Sequence, residues 1–250
     1  MKDLFSIQNK VIILTGAGQG IGNLLANEMW KRNAIIYSID KIFSKIITKE
    51  NYFEIKCDVT NIKQFNRICD RIFKKHGKID ILINNAGMSF TKKDGEDYPI
   101  DKWEKTIKTN LTGAFMCSQA VIKFMKKQKS SSIINITSIN AELGFPNNPA
   151  YIASKGGLKM LTKSFAKDYG KYGIRVNNLG PGYIKTDLTK KSFENKKTRI
   201  AREKQTLLGK WGEASDLIGP CIFLASDASK YVTGQDVYVD GGWLANGLVE

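Results

Sequence analysis

The chain has 250 residues, 42% of them hydrophobic and 25% charged, a balance that belongs to a folded globular chain and excludes disordered, collagen-like and coiled-coil classes. Its apolar runs, such as Val11-Ile12-Ile13-Leu14 and Ile79 to Ile83, fall far short of the roughly 20 residues that span a bilayer, so neither a membrane helix nor a membrane partner is expected. The net charge of +15 rests on 33 Lys and six Arg spread along the chain; solvated Lys-rich faces account for it better than a nucleic-acid surface, which favours Arg forks.

The start, Met1-Lys2-Asp3-Leu4-Phe5, has no long apolar segment followed by a small-residue cleavage site, which makes the cytoplasm the expected compartment. Val11 to Leu14 reads as a buried strand that runs into a glycine-rich turn and then a helix from Ile21 to Lys31. Ala34 to Ile39 is a second strand, ending at Asp40. Tyr52 to Val59, Ile79 to Asn84, Ser132 to Thr137, Ile174 to Leu179 and Gln235 to Val239 continue the series, with helical patterns at 61–76, 101–128, 151–171 and 213–225. Strands alternating with helices imply right-handed βαβ units. The expected fold is therefore α/β: one doubly wound domain over 1–250, with a mostly parallel sheet of about seven strands and helices on both faces. Residues 183–212 break the pattern, since they lie between a strand and a helix and exceed a normal connection. Eight basic residues at 185–204, Arg199 and Arg202 among them, face only Asp187, Glu194 and Glu203, and a mobile substrate lid is the functional expectation.

Two residue types narrow the chemistry. Cys57, Cys69, Cys117 and Cys221 form no C-x-x-C pair and sit in apolar segments, as reduced buried thiols do. The single His, His76, precedes Gly77 at the end of a Lys-rich helix, where a cation is favoured. Protein-ligated zinc and Ser-His-Asp catalysis both lack their parts, and no metal is expected.

The first turn, Thr15-Gly16-Ala17-Gly18-Gln19-Gly20-Ile21-Gly22, has the form G-x-x-x-G-x-G and is followed by no G-K-[ST]. Glycines between a buried strand and a helix let the backbone approach a pyrophosphate, whose charge meets the helix N-terminus. Asp40, 20 residues after Gly20 at the end of the second strand, can accept hydrogen bonds from both hydroxyls of an adenosine ribose and repels a 2′-phosphate. The pair points to NAD, with NADP the less favoured cofactor.

With these residues in view, the sequence strongly resembles the short-chain dehydrogenase/reductase family from residue 8 to 244, and the doubly wound domain is expected to be Rossmann-like. The resemblance adds Asp58-Val59, Asn84-Asn85-Ala86-Gly87, Pro181-Gly182 and Thr186 to the glycine turn, and places Asn110, Ser138, Tyr151 and Lys155 at the positions of the family's catalytic tetrad. It implies cofactor contacts from Gly16, Gln19, Gly20, Ile21 and Gly22 in the turn, Asp40, Asp58 and Val59 around adenosine, and Asn85, Ala86 and Gly87 after the fourth strand. On the nicotinamide side it implies Tyr151, Lys155, Pro181, Gly182, Ile184 and Thr186. One departure is Gly180, where many members carry a larger small-polar residue; a looser backbone is the expectation.

The tetrad is chemically coherent. Tyr151 and Lys155 are four residues apart and share a helix face, so the ammonium, together with an oxidised nicotinamide, can lower the phenol pKa from near 10 toward working pH. Tyr151 then serves as general base or acid. Ser138 can stabilise charge on the substrate oxygen, and Asn110 can hold a water that relays protons to Lys155. The enzyme expected is an oxidoreductase that moves a hydride between nicotinamide and a secondary alcohol or ketone.

The carboxy-terminal half, through Val239-Asp240-Gly241-Gly242-Trp243-Leu244, is similar to the branch of gluconate and ketodeoxygluconate 5-dehydrogenases and to oxidoreductases of bacterial sugar biosynthesis. The substrate expected is a sugar or sugar acid, phosphorylated and nucleotide-linked forms included, bound by Ser138, Asn140 and Tyr151. Ser89, Glu142, Asn147 and Asn148 complete a polar pocket suited to hydroxyls. Two alternatives stay open: a 3-oxoacyl-carrier-protein reductase, and a nucleotide-sensing or nucleic-acid-binding module on the same fold. The resemblance also implies a homotetramer or homodimer through the helices near 101–128 and 151–171 and the final strand.

Overall fold

The first strand, β1 (Val11–Thr15), is buried at all five positions, as a strand covered on both faces must be. The computed structural model describes residues 3–92 and 95–246, so Met1-Lys2 and residues 247–250 of the expected domain lie outside the described residues. Successive β1 side chains point to opposite faces. Val11 and Ile13 join one core cluster with Phe65, Cys117 and Phe165; Ile12 and Leu14 join the other with Leu25, Met29 and Cys221.

After β1 come α1 (Gly20–Trp30), β2 (Ile35–Asp40), β3 (Thr48–Lys49), β4 (Tyr52–Lys56), α2 (Ile62–His76) and β5 (Ile81–Asn84). α2 starts at Asn61, whose side chain accepts a hydrogen bond from Gln64 N at 3.1 Å, and stops at Gly77, whose φ of 68° closes the helix. The next elements are α3 (Ile100–Ile107), α4 (Gly113–Met125), β6 (Ser131–Ile136), α5 (Pro149–Tyr169) and β7 (Ile174–Pro181). The chain continues through β8 (Ile184–Lys185), α6 (Lys190–Glu194), α7 (Lys196–Gln205), β9 (Gly212–Glu213), α8 (Ile218–Ala225) and β10 (Asp236–Val239).

The main sheet has the order β10-β7-β6-β5-β1-β2-β4-β3, and its strands are parallel except for the β3–β4 pair. The expected strands are thus joined by a two-residue antiparallel edge that carries too few residues for a period-2 signal. α2, α4 and α5 cover one face while α1 and α8 cover the other, giving a single Rossmann-like α/β domain. Among the described residues no helix is long and apolar enough to cross a membrane.

Three features depart from the sequence reading. The helix expected at 101–128 is two helices, α3 and α4, joined without a break by a π turn at Lys108–Thr112 that buries Asn110; π turns of this kind concentrate at functional sites. Half of residues 183–212 are helical, and β8 pairs with β9 (Ile184 with Gly212, Lys185 with Glu213), so the excursion leaves and returns at one point. His76 is a disfavoured cation: its Nε2 lies 2.9 Å from Tyr37 Oη, and burial, aided by Lys75 and Lys78, lowers its pKa from the ordinary imidazole value. Lys74 and Lys75 carry the positive charge of that last turn instead. All four cysteines are free and buried, and burial raises the thiols of Cys69 and Cys221 to about 12, as fits small apolar residues.

A polar row crosses the sheet in register, with Asn84 opposite Asn135, Asn135 opposite Asn178, and Asn178 opposite Asp236. Asn84 Nδ2 donates to Asn135 Oδ1 at 2.8 Å, Asn135 Nδ2 to Thr162 Oγ1 at 2.7 Å, and Thr162 Oγ1 to Asn178 Oδ1 at 2.6 Å. Asn178 Nδ2 completes the chain by donating to Asp236 Oδ1 at 2.7 Å. Thr162 ties the row to α5, the helix that also carries Tyr151 and Lys155.

Candidate active site

β1 lies between β2 and β5, so the strand order reverses at its carboxy-terminal end. In open parallel sheets that crevice is where ligands bind. Gly16 follows β1 with φ 66°, and a Cβ there would stand 2.6 Å from Ala86 Cα. Asn85 braces the same turn, its Nδ2 donating to Thr15 O at 3.1 Å and Gly16 O at 2.8 Å. Gly22 packs beneath, where a Cβ would strike Gly16 O. Gly20 opens α1 with φ 57°, and a Cβ there would meet nothing within 4 Å. The turn therefore presents bare backbone and a helix N-terminus to open space, which fits a pyrophosphate.

The cleft, about 300 Å³, is lined by Gly16, Gln19, Gly20, Ile21, Asp40, Asp58, Val59, Asn85, Ala86, Gly87 and Thr186. Asp40 accepts from Gly18 N at 2.9 Å through Oδ2 and from Ile42 N at 3.1 Å through Oδ1, which leaves lone pairs for a ribose diol. Burial tends to raise the Asp58 pKa, but hydrogen bonds from the Thr60 N–H and hydroxyl, with Lys41 and Lys108, hold it below 3.8. The sequence reading missed Lys41, Ile42, Cys57, Met88, Thr109, Asp187 and Leu188 in the lining; each stands within two residues of a position it did name, the one local signal for them. Pro181 and Gly182 stand at the end of β7, and the Ile184 side chain turns into the core rather than the cleft.

On the same edge of the sheet, beyond β5, β6 leads to Ser138 and then a short 3₁₀ turn, Ile139–Ala141. Ser138 Oγ accepts from Asn140 N at 3.2 Å and faces the Tyr151 hydroxyl closely enough to pull the phenol pKa down. Pro149 starts α5 and sets Tyr151 in its first turn, with Lys155 one turn on. Lys155 is 4% exposed; its Nζ donates to Ile136 O at 2.7 Å and lies 5.5 Å from the Tyr151 ring centroid. Burial raises the Tyr151 pKa above 10, with Ser138 pulling the other way, and lowers Lys155 to about 8. In the chain alone, then, the ammonium does not bring the phenol toward neutrality, because burial disfavours both charged forms.

Asn110 also departs from expectation. Its Oδ1 accepts from Met88 N at 2.8 Å, while Nδ2 donates to Met88 O at 2.8 Å and Ser154 Oγ at 3.1 Å. One amide hydrogen holds the loop after β5 against the π turn and the other ties it to Ser154 of α5, and neither is left for a water. Of the polar pocket set, Glu142 is drawn away by an ion pair with Lys159 and a hydrogen bond from Tyr238 Oη at 2.6 Å. Asn147, at φ 67°, shapes the turn and accepts from Lys92 N. Asn148 Nδ2 donates to Ser89 Oγ at 2.7 Å, and its buried Oδ1 has no partner among the described residues. An aromatic wall unread in the sequence joins Phe145, Tyr183 and Trp243, with ring centroids 4.8 to 6.3 Å apart. Arg202 stacks on it, 4.1 Å from the Tyr183 ring, whereas Arg199 lies beside Glu203 and Phe193.

The family model described as Enoyl-(Acyl carrier protein) reductase matches residues 16–244. The 5-keto-D-gluconate 5-reductase of Escherichia coli (strain K12) is 36% identical over 252 residues, 98% of this chain and 99% of that protein. The 2-dehydro-3-deoxy-D-gluconate 5-dehydrogenase of Bacillus subtilis (strain 168) is 35% identical over 252 residues, 98% of each chain. Among solved structures, a gluconate 5-dehydrogenase from Burkholderia cenocepacia in complex with NADP and tartrate superposes with a TM-score of 0.90 at 33% identity, covering 97% of this chain and 98% of that one. These matches run through the glycine turn and the Tyr151–Lys155 helix alike, and the chain belongs to the short-chain dehydrogenase/reductase family of NAD(P)-dependent oxidoreductases.

Proposed function

We propose that the chain interconverts a secondary alcohol and a ketone on a sugar acid of the gluconate or ketogluconate type. The observation that carries the reading is the grouping of Ser138, Tyr151 and buried Lys155 one strand beyond a glycine-turn cleft. The cofactor, when bound, supplies the nicotinamide ring that takes or gives the hydride. Tyr151 Oη takes the alcohol proton in oxidation and returns it in reduction. Ser138 Oγ donates to the substrate oxygen and stabilises its charge. Lys155 anchors the nicotinamide ribose, and its ammonium helps Tyr151 ionise only once the charge of an oxidised nicotinamide adds to it. NAD is the preferred cofactor, since Asp40 in the cleft wall opposes a 2′-phosphate.

The 183–212 excursion, tied at its ends by β8 and β9, is the substrate lid. Arg202, which has no carboxylate within 4 Å among the described residues, is its anion contact, whereas Arg199 is turned toward Glu203. Phe115 and Met160, exposed on α4 and α5, support self-association to a homodimer or homotetramer; a 28.0 kDa species in light scattering would reject it. Sugar-acid chemistry is preferred over carrier-protein substrates because the curated relatives named above act on gluconate derivatives.

The test is reduction of 5-keto-D-gluconate and oxidation of D-gluconate by wild-type and Tyr151→Phe protein. The variant is expected to lose at least ~10²-fold in rate while binding cofactor normally. Wild-type turnover by Tyr151→Phe would refute the assignment.

A further inference from the structure

We infer that Tyr238, seated over Gly180, is a positioning residue: its hydroxyl holds Glu142 and, through it, the turn that carries Ser138 and Asn140. The inference rests on the reading of Ser138 and Tyr151 given above.

β10 is the sheet edge, and Tyr238 stands opposite Gly180 of β7. A Cβ on Gly180 would fall inside the van der Waals envelope of the Tyr238 ring, at Cδ1 and Cε1. Gly180 does not have the left-handed backbone that would itself require glycine. The residue is therefore small to make room, and the space that a side chain would fill is taken by the ring of the neighbouring strand. This replaces the expectation of a looser backbone at Gly180.

From that seat the Tyr238 hydroxyl donates to Glu142 Oε1 at 2.6 Å. Burial, reinforced by Glu142, Asp236 and Asp240, raises the phenol pKa, so it remains a donor throughout the working range. Glu142 closes the 3₁₀ turn that begins at Ser138; Ala141 N donates to Ser138 O at 2.9 Å and Glu142 N to Ile139 O at 3.0 Å. The second hold on Glu142 is Lys159, one helical turn beyond Lys155 and 3.7 Å from Asp236 Oδ2. The turn is thus fastened to α5 by Lys159 and to the sheet edge by Tyr238. Hydrogen bonds to charged groups are among the stronger ones in proteins, so losing either fastening frees the segment that presents Ser138.

The test uses full-length Tyr238→Phe, Gly180→Ala, Tyr238→Ser and Gly180→Ala/Tyr238→Ser, with Tyr151→Phe alongside. Hydrogen exchange read by mass spectrometry should quicken about 10-fold at amides 140–143 in Tyr238→Phe, with the Tm and the KM for NADH or NADPH unchanged. With 5-keto-D-gluconate, kcat/KM should fall about 5- to 30-fold, through KM as well as kcat. Gly180→Ala should match that loss in the wild-type background and add nothing in Tyr238→Ser, where the ring is gone. Unchanged exchange at 140–143 in Tyr238→Phe, or a Gly180→Ala substitution that costs nothing, would overturn the inference. Wild-type turnover in Tyr151→Phe would instead defeat the parent reading, leaving exchange to decide this one.

Discussion

Replacing Lys155 with Met should remove a pH dependence from the stability of the cofactor-free protein. Lys155 is 4% exposed, and burial lowers its pKa from 10.5 to about 8. The folded chain releases this proton near pH 8 and the unfolded chain near 10.5, so between those values the unfolded state binds more protons and stability rises with pH. The full drop corresponds to about 3 kcal/mol against the folded ammonium. About 2 kcal/mol of it is regained between about pH 7 and about pH 9.5. Met keeps the volume and has no proton to exchange. Urea unfolding of both proteins at the two pH values should therefore show wild type gaining about 2 kcal/mol on Lys155→Met at the alkaline end. Parallel stability curves would refute the idea that the fold holds Lys155 as a disfavoured cation, and with it the account of why the ammonium does not activate Tyr151 in the chain alone.

Other substitutions separate binding from folding. Gly16→Ala forces a Cβ into the Ala86 backbone and should lower stability by about 1–3 kcal/mol in thermal melts without cofactor. Gly20→Ala meets nothing within 4 Å; it should cost less stability but weaken dinucleotide binding by at least ~10-fold in fluorescence titration, and equal effects of the two changes would contradict the geometry. Asp40→Ala should narrow or reverse the NADH over NADPH preference in kcat/KM; tighter NADPH binding by the unmutated protein would sink the NAD assignment. Arg202→Gln should raise KM for 5-keto-D-gluconate about 10-fold or more, with less effect on a neutral ketose and with a salt dependence that Arg199→Gln lacks. The same kcat/KM for anionic and neutral sugars at low salt would show that the lid does not read charge.

Much of the site was legible because its parts are local. Gly16, Gly20 and Gly22 sit within one turn, Tyr151 and Lys155 within one helical turn, and Asn85 directly after a buried strand. What escaped depends on contacts between distant segments. Nothing in the 3.6-residue pattern of 101–128 marks the π turn, because apolar positions continue through it; the turn is made by Asn110 reaching Met88, 22 residues earlier. Glu142 looked like a pocket residue because it is polar and near Ser138, yet Tyr238, 96 positions on, turns it away. Arg199 and Arg202 differ by less than one helical turn and are equivalent in the sequence, and only the packing of α7 separates them. The odd glycine at 180 was visible, but its cause lay on another strand.

The row of amides from Asn84 to Asp236 has a consequence for how the chain finds its alignment. β5, β6, β7 and β10 are rich in Ile and Val, and such strands could slide past one another with little loss of apolar contact. A slip of one residue would move an amide to the opposite face and strand its partner next door without water; each stranded group costs about 1–3 kcal/mol. The row thus works as a combination lock set across four strands drawn from more than 150 positions of sequence. Ser138 and Pro181 lie just beyond β6 and at the end of β7, so strand alignment and the assembly of the substrate side are won or lost together.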